Sequence, residues 1–303
     1  MGNLQTLFFL GKGGTGKSTA SALLSLVLKE QGKKVLLASF DDAHNQSDIF
    51  QARFSNKACT MGPCLEVLQV DRDKEIKRYL LKTAQKVKAS YTYLTAFNLD
   101  NYFDILKFSP GMEEYALVTA FMDLQARYQD YDYLVIDMPP TALSLRFFNL
   151  PTLSLTWIDQ LEKLRMEIYK RKEIVSRIKI AGKEFERDKV LNRIREIKAE
   201  YQALKTVFED SAKSKFFAVL NDDILSVAET RRIIEQLNVL SIRLKALILN
   251  DRKKEDPGKK SIKTAFPSVL VQKIPYSSSS LIGMPALEAH IISSQLTFDR
   301  LID

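Results

Sequence analysis

The segment Gly11-Lys12-Gly13-Gly14-Thr15-Gly16-Lys17-Ser18 constrains this chain more than any other eight residues in it. Glycines at that spacing let successive backbone N–H groups turn inward, and a lysine and a hydroxyl follow where a helix begins. That arrangement cradles phosphate oxygens. The flanks agree with it. Residues 4–10 form a short apolar run that ends at the glycines and reads as a buried parallel strand, while residues 17–31 place Leu23, Leu24, Val27 and Leu28 on one helical face. Further apolar runs at 34–40, 133–136, 244–249 and 269–272 are separated by helical segments. The alternation predicts an α/β fold with a doubly wound, mostly parallel sheet.

The same residues satisfy a second pattern, Gly11-x-Gly13-x-x-Gly16, with Asp41 and Asp42 standing where a ribose-binding acid of a dinucleotide fold would lie. Lys17 and Ser18 decide between the two, because a magnesium-nucleotide site needs them and a dinucleotide site does not. An aspartate ending a later strand supports the choice. Asp137 follows Tyr133-Leu134-Val135-Ile136 and precedes Met138-Pro139-Pro140-Thr141. A carboxylate at a strand's C-terminal edge lies beside the phosphate loop and can hold a water on the metal; alone it would equally well cap a turn. ATP is therefore expected on Gly11, Gly13, Gly14, Thr15, Gly16, Lys17, Ser18 and Thr19, with Lys17 on the β and γ phosphates and Ser18 and Asp137 around Mg²⁺.

Residues 158–215 differ from the rest. They contain no proline and one glycine, Gly182, and read as two long helices joined there. Val190, Ile194, Ile197, Tyr201, Leu204 and Phe208 step by 4, 3, 4, 3 and 4, and Leu161, Leu164, Ile168, Val175 and Ile178 form a similar stripe. An antiparallel hairpin follows, its stripe wide enough to zip one helix to the other and too narrow to leave a further apolar groove. The chain carries 45 Lys+Arg against 37 Asp+Glu, and residues 160–216 hold 16 and 10 of them, so most of the +8 excess sits in the hairpin. The expected organisation is an ATPase domain over 1–155, an inserted hairpin over 156–217 and the rest of the ATPase domain over 218–303.

Lys12, a second lysine inside the loop, makes the sequence resemble the deviant Walker-A class of P-loop ATPases, which includes nitrogenase iron protein and the septum-site and partition ATPases. Three further segments are similar to the arsenical-pump, or anion-transporting, ATPase family and its relatives that target tail-anchored proteins. Phe40-Asp41-Asp42-Ala43-His44-Asn45-Gln46-Ser47-Asp48 resembles the first switch, D-P-A-H-x-x-S-D. Asp137 to Thr141, with Leu145-Arg146 and Leu150-Pro151, resembles the second. Ser226-Val227-Ala228-Glu229-Thr230-Arg231-Arg232 resembles the E-T-x-R helix. The resemblance implies a homodimer in which Lys12 crosses to the partner's phosphates, and an Asn250 that hydrogen-bonds adenine. Asp41 is expected to position or activate the attacking water, its other role being a helix cap.

Departures from the pattern are equally informative. Asp42 replaces the first switch's proline, and Ala142-Leu143 replaces a Gly-His pair of the second. Cys59 and Cys64, the two cysteines, form neither the C-x-x-C pair of a zinc clasp nor the three thiolates of an arsenite site. They also fit a reducing cytoplasm, and no stretch approaches the ~18 apolar residues of a transmembrane segment. The expected function is a Mg-ATP-hydrolysing dimeric switch that acts on a protein client, with an acidic membrane surface as a further partner. A partition-type ATPase that binds nucleic acid through the basic hairpin is the alternative, ranked lower because the hairpin's charges are mixed and lack interleaved aromatics.

Overall fold

In a computed structural model, the structure describes residues 4–43, 45–90, 109–176, 189–251 and 262–302, with backbone alone for 86–90, 169 and 172–176. His44 and Gly182 lie outside the described residues. Among them an eight-stranded sheet has the order β3-β4-β2-β5-β1-β6-β7-β8. Its members are β1 (Gln5–Leu10), β2 (Val35–Ser39), β3 (Cys59–Thr60), β4 (Leu65–Gln69), β5 (Tyr133–Asp137), β6 (Ser214–Leu220), β7 (Leu244–Asn250) and β8 (Leu270–Ile274). Every pairing is parallel except β3 with β4. Because β1 is flanked by β5 and β6, the glycine loop that follows it opens at the middle of the sheet's carboxyl edge, where a doubly wound sheet binds its ligand.

Helices cover both faces. On one, α1 (Lys17–Glu30) packs Leu23, Leu24 and Val27 against Leu7, Phe9 and Leu37; α2 (Asn45–Phe50) and α9 (Met284–Ser294) close that side with Ile49, Phe50 and Leu287. On the other lie α3 (Arg72–Ser90), α4 (Met112–Arg127), α5 (Thr141–Ser176), α6 (Lys189–Glu209) and α7 (Ile224–Val239). There Phe8, Phe121, Phe147, Phe148, Phe208 and Phe216 form one aromatic cluster, with Phe148 and Phe208 centroids 5.2 Å apart and edge to face. Short helices α8 (Ile262–Ala265) and α10 (Asp299–Ile302) complete the described elements. None of these helices is long and apolar enough to cross a membrane.

The hairpin departs from expectation in two ways. Its first helix does not begin near residue 156: α5 runs unbroken for 36 residues from Thr141 through Pro151 to Ser176. Its second ends at Glu209, and Ser214–Leu220 is a buried central strand that the boundary at 217 would cut. The second difference follows from the first. A continuous helix carries its rotational phase along its length, about 100° per residue. The core-facing row set by Phe147, Leu150, Ser154 and Ile158 therefore presents Glu162, not the leucines, toward α6.

Glu162 accepts from Arg195 Nε at 3.1 Å and Lys198 Nζ at 3.0 Å, and Lys198 also reaches Asp159 at 2.8 Å. Leu153, Trp157, Leu161, Leu164 and Ile168 are rotated away and exposed, Trp157 to 65% and Leu164 to 54%. Leu204 and Phe208 are buried, but by the aromatic core of the body and not by the opposing helix's outer half. The expectation that the hairpin offers no further apolar surface is therefore corrected: it carries an exposed apolar row along α5.

Candidate active site

Three strand ends and the loops that follow them build the site. The chain turns at Gly11 directly from β1, with φ 147°, and a Cβ there would stand 2.3 Å from the Val219 carbonyl oxygen on β6. Gly16 has φ 93°, and its Cβ would stand 2.3 Å from the Asn250 amide nitrogen at the end of β7. Neither position can hold a side chain, so the loop lies tight against both neighbouring strands. Thr15 Oγ1 closes the loop by donating to the Lys12 carbonyl at 2.8 Å, and Asn250 Nδ2 donates to the Thr15 carbonyl at 3.0 Å. Lys17 and Ser18 are buried in the first turn of α1.

The first-switch segment leaves β2 beside β5. The Phe40 N–H donates to the Asp137 carbonyl at 2.8 Å, and the Asp41 carbonyl accepts from Gln69 Nε2 at 2.6 Å. Asp41 Oδ1 accepts from the Ala43 N–H at 3.2 Å, a bond to the residue two places on that forms an Asx turn leading into α2. Because α2 begins only at Asn45, this turn precedes the helix and caps none of its N–H groups, and the same carboxylate also lines the cavity.

Asp137 sits opposite Phe9 in the β1–β5 ladder and is fully buried. Burial pushes its carboxyl up to about 6, against the pull of hydrogen bonding from Ser18 and Gln46 and of the Lys17 charge. Oδ2 accepts from Gln46 Nε2 at 3.0 Å, while Oδ1 has no hydrogen-bond partner. A buried, unpartnered carboxylate oxygen is unfavourable, and a hard cation or its water would relieve it. Ser18 and Asp137 thus fit magnesium as the hydroxyl and carboxylate of a site completed by nucleotide phosphates. Among the described residues no group of three His, Cys, Asp or Glu side chains is arranged to hold a metal without them.

Above these residues opens a cavity of about 770 Å³, within the range of small-ligand pockets. Gly13, Gly14, Gly16, Lys17, Ser18 and Thr19 line it, together with Asp41 and Asn250. Gly11, Thr15 and Asp137 are not among the lining residues. Lys12 is half-buried and outside the lining. The opposite wall is the loop after β8, with Pro275 and Tyr276, which the sequence reading passed over. Its signal was available: a segment following the end of a parallel strand emerges at the same edge as the phosphate loop.

A chain of charges links the two switch segments. Asp42, standing where the resembled motif has proline, pairs with Arg72 at 2.8 Å; Arg72 also reaches Glu113 at 3.3 Å, and the adjacent Glu114 pairs with Arg146. Burial raises the Asp42 carboxyl above its usual range, with Asp41 and Glu113 adding to the effect and Arg72 opposing it. The start of α4 is thereby tied to both switches.

The family model for anion-transporting ATPases matches residues 4–296, nearly the whole described chain. The chain belongs to the anion-transporting ATPase family. Among curated relatives, a putative arsenical pump-driving ATPase 2 of Aquifex aeolicus is 30% identical over 300 residues, covering 94% of this chain and 97% of the relative. An ATPase ASNA1 homolog of Cryptosporidium parvum is 27% identical across 99% of this chain and 81% of its own. The ATPase get3 of Aspergillus terreus is 29% identical across 82% and 73%. This member of the family is accordingly an ATPase with an α/β P-loop fold.

Proposed function

We propose that this anion-transporting-family ATPase hydrolyses Mg-ATP as a face-to-face homodimer and uses its nucleotide state to control an apolar segment of a protein client. One observation carries the reading: α5 starts at Thr141, four residues after Asp137, and runs without interruption out to the exposed row of Trp157, Leu161, Leu164 and Ile168. A rigid helix rooted at the second switch transmits a shift at its base to its far end. At the site, Lys17 neutralises β and γ phosphate charge, Asp41 orients the attacking water, and Lys12 reaches phosphates across the dimer. Magnesium held through Ser18 and Asp137 would supply charge stabilisation for the phosphoryl oxygens. The reading places the protein in the cytoplasm, where ATP is available.

The row suits an apolar client because each large side chain covered gains roughly 1.5–3 kcal/mol. The basic hairpin supports the second reading, an acidic protein, membrane or nucleic-acid surface, less strongly. Arg195 and Lys198 are already paired with Glu162 and Asp159, although Lys163, Lys170 and Arg171 are exposed.

The test uses ATP-loaded Asp41→Asn protein and a labelled apolar helical peptide of about 20 residues, the length of a membrane span. Trp157→Glu with Leu161→Glu should abolish capture while sparing ATP binding, and salt should matter little. Capture that ignores those changes but fails in high salt would transfer the role to the basic surface. Lys12→Ala subunits mixed with Asp41→Asn subunits should regain partial turnover; full turnover by a monomeric chain would remove the dimer.

A further inference from the structure

Gln46 is the residue at this site that the motif leaves unspecified and the fold uses most heavily. It is fully buried in α2, five residues after Asp41. Its Nε2 lies 3.0 Å from three acceptors on two other elements: Asp137 Oδ2 at the end of β5, and the Ser18 carbonyl and Ser21 Oγ in α1. One amide therefore joins the first switch's helix, the helix of the phosphate loop and the metal-side carboxylate. Ser21 Oγ donates onward to the Ser18 carbonyl at 3.0 Å, and the two N–H groups of the Gln46 amide are shared among the three acceptors.

We infer that Gln46 is a positioning residue for the magnesium site, fixing the Asp137 carboxylate and the first turn of α1 relative to the first switch. The chemistry favours an amide over the alternatives. A neutral donor holds one carboxylate oxygen without cancelling the charge that attracts a cation; a lysine would compete with that cation, and a leucine would leave Oδ2 unpaired. With Oδ2 engaged, Asp137 Oδ1 is the acceptor left over, and Gln46 Oε1 is likewise buried without a partner. These are two buried oxygens whose unmet hydrogen-bonding capacity a cation or its water would satisfy. Because Gln46 rides on α2, displacement of the first switch also loosens the hold on Asp137, which gives nucleotide state a direct route to metal affinity.

The inference rests on the reading of Asp137 as a magnesium-side ligand, and the experiment separates the two. ADP binding to the full chain is measured by calorimetry in EDTA and across a magnesium titration. In Gln46→Met the affinity in EDTA should match the wild type, while the magnesium needed for half-maximal strengthening of binding should rise about tenfold, as for other residues that orient a ligand. Gln46→Asn keeps the amide but withdraws it by one methylene. It should show a smaller rise in the same direction, and it decides the matter if the methionine variant does not fold. An unchanged magnesium requirement, or an equal loss with and without magnesium, would reduce Gln46 to a packing residue and overturn the inference. Wild-type binding that ignores magnesium would overturn the reading of Asp137 itself, and this inference with it.

Discussion

The nucleotide edge and the hairpin use the same kinds of side chain to opposite ends. At the edge, polar groups are buried and held: Asp137, Gln46, Ser18 and Ser21 are almost inaccessible to water and joined by hydrogen bonds near 3.0 Å. Along the outer half of α5, apolar groups are exposed and acids face the neighbouring helix. Burying polar groups is worthwhile only where each has a partner, and exposing a contiguous apolar row costs solubility unless something covers it. The two inversions are the places where the proposed nucleotide site and the proposed client surface lie. The root of the hairpin, with Phe147, Phe148 and Phe208 in the core, follows the ordinary rule and separates the two.

The largest test of that contrast lies within the hairpin. Phe208→Ala should lower unfolding free energy by about 3–5 kcal/mol in denaturant titration, because it empties part of a close-packed aromatic cluster. Trp157→Ala should stay within about 0.5 kcal/mol. Equal losses would mean that the outer row is part of the core after all.

At the nucleotide edge, Lys17→Ala should weaken ATP binding about 10- to 100-fold by calorimetry, the range expected for a charged hydrogen bond, with the circular dichroism spectrum unchanged. Unaltered affinity would show that the buried lysine is structural. Asp42→Pro, which installs the residue of the resembled motif, should cost about 0.2–1 kcal/mol of stability by removing the half-exposed pair with Arg72. ATP affinity should not change. A tenfold loss of binding would promote the charge chain to part of the site.

The smallest effect concerns His290 on α9, buried with Nε2 unpartnered and its pKa held below the ordinary 6.5 by desolvation. A histidine depressed in the fold stays neutral there while the unfolded chain takes up a proton, so stability is lost as pH falls below about 6.5. His290→Gln should flatten the melting temperature between pH 7 and pH 5. A steeper curve in the variant would contradict the sign.

Much of the fold was legible because parallel strands buried on both faces are written as apolar runs. Five of the strands, β1, β2, β5, β7 and β8, match runs read from the sequence within a few residues. The strands at Leu65–Gln69 and Ser214–Leu220 were not read, nor was the two-residue edge strand Cys59–Thr60. The second begins five residues after a helix rich in charge, and its Ser214-Lys215 start reads as a continuation of that helix. Pro275 and Tyr276 escaped notice because their meaning comes from the strand they follow and not from their own types.

The sequence by itself determined the phosphate loop, because glycine at Gly11 and Gly16 and the Lys17-Ser18 pair are local requirements of backbone geometry and charge. Local chemistry also placed Asp41 and Asp137 at strand ends. Only the tertiary structure decided which face of α5 meets α6. The apolar spacing of 161, 164 and 168 is correct for a helix, but spacing fixes a row and not its direction. That direction was set some 14 residues earlier, where Phe147 enters the aromatic core and the helix carries that phase outward. The role of Gln46 is of the same kind, since its three acceptors come from elements brought together only when the sheet is wound.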